Sequence, residues 1–408
     1  MTAPARQPTP DRPRARDPYG LALAGPFVVP IAALAGLLVI AFVTLNLFNG
    51  QLPLGGGSGS GGQNGPTVTP APSNEVIPDQ GTKFRGSIAY AKQGSIWIQT
   101  QDSIRRLTTG NDDQQPSWSP DGQYVYFIRT IMDKGLYPAP LGGKPSYYTL
   151  DYPLLMRARA DGSGQPQQLA SGKFSRSGGQ YQWFFWMRQP VVSPNGSTIA
   201  LVSDQPNPQA SDVVVQFFNP ATRKFSNPAI AENAPLGHQD PAWAPGGRAI
   251  AYTKNGANGA RGAPAIWIYT LATRKARAVT GPGYIQPSFS PDGRYIAATR
   301  TSALGTDVVI LDATTGAEVA RVTTDGTSWA PAWSPAGDGI AFLHVTGQIV
   351  DLRLAPITPT SGGFTVAPIE DLTTVSGLDG ASRPEWYIPA SQLPAPSGGG
   401  AGSPSSSP

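Results

Sequence analysis

Apolar and polar positions change rhythm four times along the chain, and each rhythm predicts a different kind of structure. Residues 1–20 are polar and carry Arg6, Arg12, Arg14 and Arg16. Leu21–Phe48 reads LALAGPFVVPIAALAGLLVIAFVTLNLF, 28 residues without an ionisable group. At 1.5 Å per residue this is a helix of roughly 40 Å, longer than the ~30 Å hydrocarbon core of a bilayer. The pattern predicts a transmembrane signal-anchor over 21–48, with Pro26 and Pro30 marking its start. A cleaved signal peptide is the competing reading. The run is about twice the usual 7–15 apolar residues, however, and no A-x-A-like site follows it. Four Arg oppose Asp11 and Asp17 before it, and no charge follows until Glu75. The positive-inside rule therefore places the N-terminus in the cytoplasm and the body outside the cytoplasmic membrane.

Residues 49–83 lose all periodicity. GGGSGSGGQNGP followed by TVTPAPSNEVIPDQ predicts a flexible linker that stiffens toward its end. Residues 391–408 (ending PSGGGAGSPSSSP) predict a disordered tail. Between them, residues 84–390 show short apolar runs separated by Pro/Gly turns, the rhythm of short antiparallel strands.

Six segments of that body align on a Pro followed two residues later by a bulky residue. They begin Gln115-Pro116-Ser117-Trp118, Gln189-Pro190-Val191-Val192, Asp240-Pro241-Ala242-Trp243, Gln286-Pro287-Ser288-Phe289, Ala330-Pro331-Ala332-Trp333 and Arg383-Pro384-Glu385-Trp386. In the first five a tight turn follows, such as Pro120-Asp121-Gly122, and then an apolar strand such as Tyr124–Phe127. Pro fixes φ and Gly or Asn accepts positive φ, so the turn closes a hairpin. A third strand (Ile96–Ile98, Ile266–Ile268, Val308–Ile310) and a more polar fourth (Arg105–Thr108, Arg277–Thr280) complete each unit. Four short strands repeated every 44–53 residues, with one longer interval, predict propeller blades. The body opens at a second strand, Ile88-Ala89-Tyr90, and closes on a first strand, Arg383–Ile388. The fold class is therefore all-β: a six-bladed β-propeller with one blade built from both chain ends, which removes the open sheet edges.

Composition sharpens this by exclusion. Gly 48 and Pro 43 disfavour a helical bundle, and the absence of Cys rules out disulfides and thiolate metal sites. With only His238 and His344, a three-histidine metal site cannot form, and no G-x-S-x-G elbow is present. No metal and no cofactor is expected. The net charge of +4, half of it at the N-terminus, is too small and diffuse for nucleic-acid binding.

The Ser119–Gly122 and Ser290–Gly293 turns, each with Trp or Phe two residues before its Pro, resemble the WD40-like repeats of TolB-type propellers. The resemblance spans about 300 of the 408 residues. It departs at three turns, where Asn195, Gly246 and Ala336 replace Asp, and the chain leaves no room for the N-terminal domain of TolB itself. Similar propellers accompany peptidases of the prolyl-oligopeptidase type, but no hydrolase domain follows here. The resemblance implies the fold; the function has to come from the site.

Two insertions enlarge the repeat that starts at Gln115: Ile131–Tyr152, with Tyr137, Tyr147 and Tyr148, and Ser171–Arg188, with Tyr181, Trp183, Phe184, Phe185, Trp186 and Arg188. One joins strands two and three and the other joins blades, so both project from one face. His238–Asp240 and Lys254–Pro264, with Arg261, add to that face. Aromatics with Arg are enriched in binding hot spots. The plainer alternative is that Trp183–Trp186 pack the insertion onto the blades. Near the axis stand Gln115, Gln189, Asp240, Gln286, Ala330 and Arg383, a set richer in amides than in acid–base pairs. The expected function is therefore a membrane-anchored binding or scaffold module for an envelope protein, peptide or glycan, not an enzyme. The alternatives are a glycan lyase or hydrolase, and a small-ligand sensor at the central channel.

Overall fold

The computed structural model describes residues 74–75 and 84–394, apart from 111, 138–143, 176–178, 180, 206–212, 231–236 and 257–262. The apolar segment 21–48, nearly all of the linker, and residues 395–408 lie outside the described residues. Among the described residues no helix is long and apolar enough to cross a membrane.

The described body is an all-β, six-bladed propeller. Blade 1 combines Glu385–Tyr387 with Ser87–Lys92, Ser95–Thr100 and Ile104–Arg106. Blade 2 comprises Asp113–Trp118, Tyr124–Tyr137, Ser146–Arg159 and Gln167–Ser171. Blade 3 runs from Met187–Val192 to Lys224–Ser226, blade 4 from His238–Trp243 to Lys275–Ala278, and blade 5 from Tyr284–Phe289 to Glu318–Arg321. Blade 6 begins at Ser328–Trp333, and its long third strand, Ile349–Thr360, pairs with both Gly363–Val366 and Glu370–Asp371. The chain ends meet where Ser87, Ile88 and Ala89 pair with Tyr387, Trp386 and Glu385. The short strand Asn74–Glu75, within the stretch that the sequence assigns to the linker, pairs with the outer edge of blade 1.

The hydrophobic cores lie between blades. One cluster joins blades 1 and 2 through Ile96, Trp118 and Phe127; another joins blades 6 and 1 through Leu354, Tyr90 and Trp386. The bulky residue of the repeat does polar work as well. Trp118 Nε1 donates to Glu385 O, Trp243 Nε1 to Val191 O and Trp386 Nε1 to Arg85 O, each a tie across strands.

The turn motif also has a local cause. Ser119 Oγ donates to Asp121 Oδ1 (2.5 Å) and accepts from Tyr124 N (2.9 Å), and the same carboxylate accepts from Gln123 N. Ser290 and Asp292 repeat this, Ser193 uses Asn195, and Ser334 reaches forward to Asp338 where Ala336 replaces Asp. The turn carboxylates are thus engaged within their own turns, and the Ser119 hydroxyl holds the Asp121 carboxyl below its ordinary pKa.

A second repeated feature escapes a reading of strands alone. Thr108, Thr280, Thr323 and Thr373 each accept, through Oγ1, the backbone N–H of Ile96, Ile266, Val308 and Leu352. Each buried hydroxyl pins the end of a fourth strand to the third.

Candidate functional site

Two places gather the candidate residues: the central channel and the enlarged face of blade 2.

At the channel, every first strand of blades 2–6 carries a bulge at the residue before its Pro. Gln115, Gln189, Asp240, Gln286 and Ala330 all sit at positive φ between 50° and 57°. Non-glycine residues rarely adopt this region, and the bulge aims them at the neighbouring blade. The result is a one-way relay. Ser382 Oγ accepts from Gln115 N (2.7 Å), Gln115 Oε1 from Gln189 N (2.6 Å), and Gln189 Oε1 from Asp240 N (2.8 Å). Asp240 Oδ2 accepts from Thr253 Oγ1, which in turn accepts from Gln286 N (3.1 Å). Gln286 Oε1 then accepts from Ala330 N (3.0 Å) and from Thr299 Oγ1. Ala330 has no side-chain oxygen with which to return the relay to blade 1. Arg383, on the side of blade 1, instead reaches to blades 5 and 4, donating through Nη1 to Pro287 O (2.9 Å) and through Nη2 to Pro241 O (3.1 Å).

Beside this ring, Glu385 Oε2 accepts from Trp118 N at 2.7 Å. Burial pushes the Glu385 carboxyl up to about 7, opposed by its hydrogen bonds from Ser117 and Trp118 and by Arg383. Burial likewise raises the Asp240 carboxyl, with Arg383 the main opposing charge. The space left at the axis is a cavity of about 40 Å³. That admits a few water molecules, whereas small-molecule sites run to roughly 300–1,000 Å³. The channel residues named from the sequence (Gln115, Gln189, Asp240, Gln286 and Arg383) do meet around one axis, and many of their polar atoms bond to one another or to neighbouring strands.

The enlarged face is built differently. Second and third strands of blade 2 extend together as a ribbon, paired without interruption from Tyr124↔Arg159 to Tyr137↔Ser146. The fourth strand stops at Ser171, opposite Leu154, and the chain turns away at Gly172. It then forms a strap, the two-stranded pair Lys173–Ser175 and Gln182–Phe184. The strap braces the ribbon: Gln182 Oε1 accepts from Leu136 N (2.7 Å), and Lys173 Nζ pairs with Asp133 Oδ2 (2.5 Å). Both insertions therefore belong to one substructure.

Its aromatic residues divide by role. Phe185 is buried against Phe174 and Phe225 in the core between blades 2 and 3. Tyr181, Trp183 and Phe184 are half-buried, and Phe184 meets Trp186 edge-on at 5.6 Å. Tyr147 (72% exposed), Tyr148 (47%) and Trp186 (45%) reach solvent, as does Arg188 on the first strand of blade 3. Tyr147, Tyr148, Lys134 and Thr149 line an open cavity of about 420 Å³ on the ribbon.

Two residues expected on this surface are placed inside it. His238 is fully buried, with its ring 4.6 Å from Tyr252 and Nδ1 accepting from Val215 N. Asp240, 7% exposed, belongs to the channel relay. Both lie on the first strand of blade 4, whose side chains face blade 3 and the axis. Arg261 lies outside the described residues. Sequence reading missed Ser382, Thr253, Thr299, Ser117 and Glu385 as partners in the channel. Their signal was present as polar residues flanking each Pro or ending each second strand. Among the described residues no group of three or more His, Asp or Glu is placed to hold a metal ion.

No protein family and no curated protein matches the sequence. Solved structures do. The chain is similar to a TolB from Agrobacterium tumefaciens, at 16% identity over 76% of this chain and 95% of that one, with a TM-score of 0.50. It is also similar to TolB from Acinetobacter baumannii, at 17% identity over 76% of this chain and 68% of that one, with a TM-score of 0.51. The fold is thus a six-bladed β-propeller of the arrangement seen in TolB, as the S-P-D-G turns suggest. At these identities the likeness concerns the fold.

Proposed function

We propose that this protein is an extracytoplasmic binding or scaffold module, held to the membrane through residues 21–48, that engages an envelope protein, peptide or glycan with the enlarged face of blade 2. The observation that carries the reading is the ribbon. It is braced by the strap, and Tyr147, Tyr148 and Trp186 remain at the surface while Phe185 and Phe174 tie the insertion to the core. Braced aromatics offer large contact area at low entropic cost, which is what a hot spot needs. The central cavity, at about 40 Å³, is far smaller than the roughly 300–1,000 Å³ of small-molecule sites, which favours the surface over the channel as the place of binding.

The test is crosslinking in intact cells, followed by purification of the full chain. The Tyr147→Ala/Trp186→Ala double variant should lose its crosslinked partners while keeping the wild-type thermal unfolding profile. Unchanged partners would assign binding to another face.

A further inference from the structure

The blade-2 ribbon presents a usable strand edge. Its backbone direction can be read residue by residue from bonds on either side. Leu136 N donates to the strap at Gln182 Oε1, and Thr130 N donates to Asp112 O, just before the first strand. The backbone groups of 130 and 136 therefore point away from the third strand, and by the two-residue period so do those of 132 and 134. Their partners across the ribbon are Pro153, Tyr147, Asp151 and Thr149. Those residues consequently direct N–H and C=O groups to the opposite edge. Pro153 confirms the direction, because its carbonyl accepts from Gly172 N (2.7 Å), the last bond to the fourth strand.

Beyond that bond the edge is open. Tyr147, Thr149 and Asp151 offer three N–H and three C=O groups with no partner among the described residues. Ser146–Tyr152 reads SYYTLDY, β-prone, with Pro145 and Pro153 only at its limits. Exposed edges are ordinarily blunted by inward charges, bulges or a covering strand. This edge has regular pairing on its inner side and, among the described residues, no strand on its outer side over roughly 23 Å, at 3.3 Å per residue.

We infer that this edge binds an extended, acidic peptide segment of a partner protein as an added strand of blade 2. The inference rests on the binding role proposed above and names its mode. The peptide backbone would pair with Tyr147, Thr149 and Asp151, leaving its alternate side chains to meet the two faces of the ribbon. The strap covers part of one face, where Leu150 is buried and Gly135 packs beside Gln182, while Tyr148 on that face stays exposed. The other carries Tyr147, Thr149, Asp151, Lys134 and Met132, all exposed. Lys134 pairs opposite the small Thr149 and lines, with Thr149 and Tyr147, the cavity of about 420 Å³ beside the edge strand. Asp133 is paired with Lys173, and Lys134 on the ribbon with the exposed Lys144 just before the edge strand outnumber Asp151, a balance that favours carboxylates.

The test uses the full chain in detergent micelles and fluorescein-labelled nine-residue peptides alternating Val with Glu or Thr. Three peptides are compared: the acidic one, a Lys-for-Glu counterpart, and an acidic one N-methylated at alternate residues. Saturable binding of the acidic peptide, with the other two at least tenfold weaker, is the expected result. Thr149→Pro, which removes an outward donor and no bond within the ribbon, should weaken binding at least tenfold, and Thr149→Val should not. The N-methylated arm needs no variant and so holds even if Thr149→Pro misfolds. Equal binding of methylated and unmethylated peptides would overturn strand addition, as would edge-dependent dimerisation of the chain without peptide. If cellular partners still depend on Tyr147 and Trp186 in that case, the binding role survives and only its mode falls. If they do not, both fall.

Discussion

Replacing Glu385 by glutamine removes a titratable group from the seam where the chain ends meet. The carboxylate accepts from Trp118 N at 2.7 Å and lies beside Ser117 and Arg383. Burial moves its pKa from 4.5 to about 7. Glu385 in the folded chain therefore holds a proton that the unfolded chain has already released. Stability contributed by this group is complete below pH 4.5, falls as pH rises through about 7, and is constant above that. At 1.36 kcal/mol per pH unit the loss is about 3 kcal/mol, an upper figure because Glu385 also borders the small channel cavity. Glutamine keeps an acceptor for Trp118 N and does not titrate. Denaturant unfolding of the full chain, followed by Trp fluorescence from pH 4.5 to 8.5, should give curves for wild type and Glu385→Gln that meet at low pH. They should separate by up to about 3 kcal/mol at pH 8, with the variant the more stable. Other carboxylates titrate identically in both proteins and cancel in the difference. Parallel curves across this range would refute the assignment of a buried, proton-holding Glu385.

Arg383→Met should lower stability by about 3 kcal/mol in the same assay, since two charge-assisted bonds vanish and the carbonyls of Pro241 and Pro287 are left buried. Gly86→Ala would place a methyl group 2.1 Å from Tyr387 O at φ +80°, and should lower the thermal midpoint far more than Gly164→Ala, which has φ +74° but open space around it. Phe185→Ala should cost about 3–5 kcal/mol as a core truncation, whereas Trp186→Ala, at an exposed ring, should stay within about 1 kcal/mol; reversed sizes in denaturant titration would invert the roles given to these residues. Burial lowers the pKa of His344, so stability should fall as pH drops below 6.5, and His344→Asn should flatten that acid limb in unfolding curves between pH 5 and 7.

The repeat made most of this architecture readable, because each of its residues answers to a physical demand inside one blade. Pro and Gly set turn geometry, Trp fills a seam, and a missing first strand at one end announces closure at the other. The channel was half legible. The Gln, Asp and Arg before each Pro were visible as axis-facing positions, but their positive φ was not, and it is the bulge that turns amides into links to the next blade. Glu385 escaped notice because a carboxylate two residues into a strand reads as a solvent-facing position until closure buries it against Trp118. His238 misled for the opposite reason: a polar residue near Asp240 suggests a surface loop, yet the strand begins at His238 itself, two residues before the repeat unit that starts at Asp240. On the ribbon, exposed tyrosines could be suspected from the length of the insertion. Which backbone groups face outward could not, because that depends on Gln182 and Gly172, far along the chain.

Closure by Glu385–Tyr387 also sets an order of events. The pair Ser87↔Tyr387 joins residues 300 apart, and every other first strand pairs with a second strand only a few residues away. Blades 2 to 6 can form as their own segments leave the ribosome, whereas blade 1 waits with its second strand bare until the last structured residues arrive. Until then, Ile88 and Trp118 lack the cover that Trp386 and Tyr387 later supply. Against a hairpin loop of about six residues, closure across about 300 is between five and six doublings, about 3 kcal/mol at roughly 0.6 kcal/mol each. There is a kinetic cost as well: the nascent ring is an open strip with two adhesive edges, and its vulnerable period lasts as long as synthesis of the other five blades.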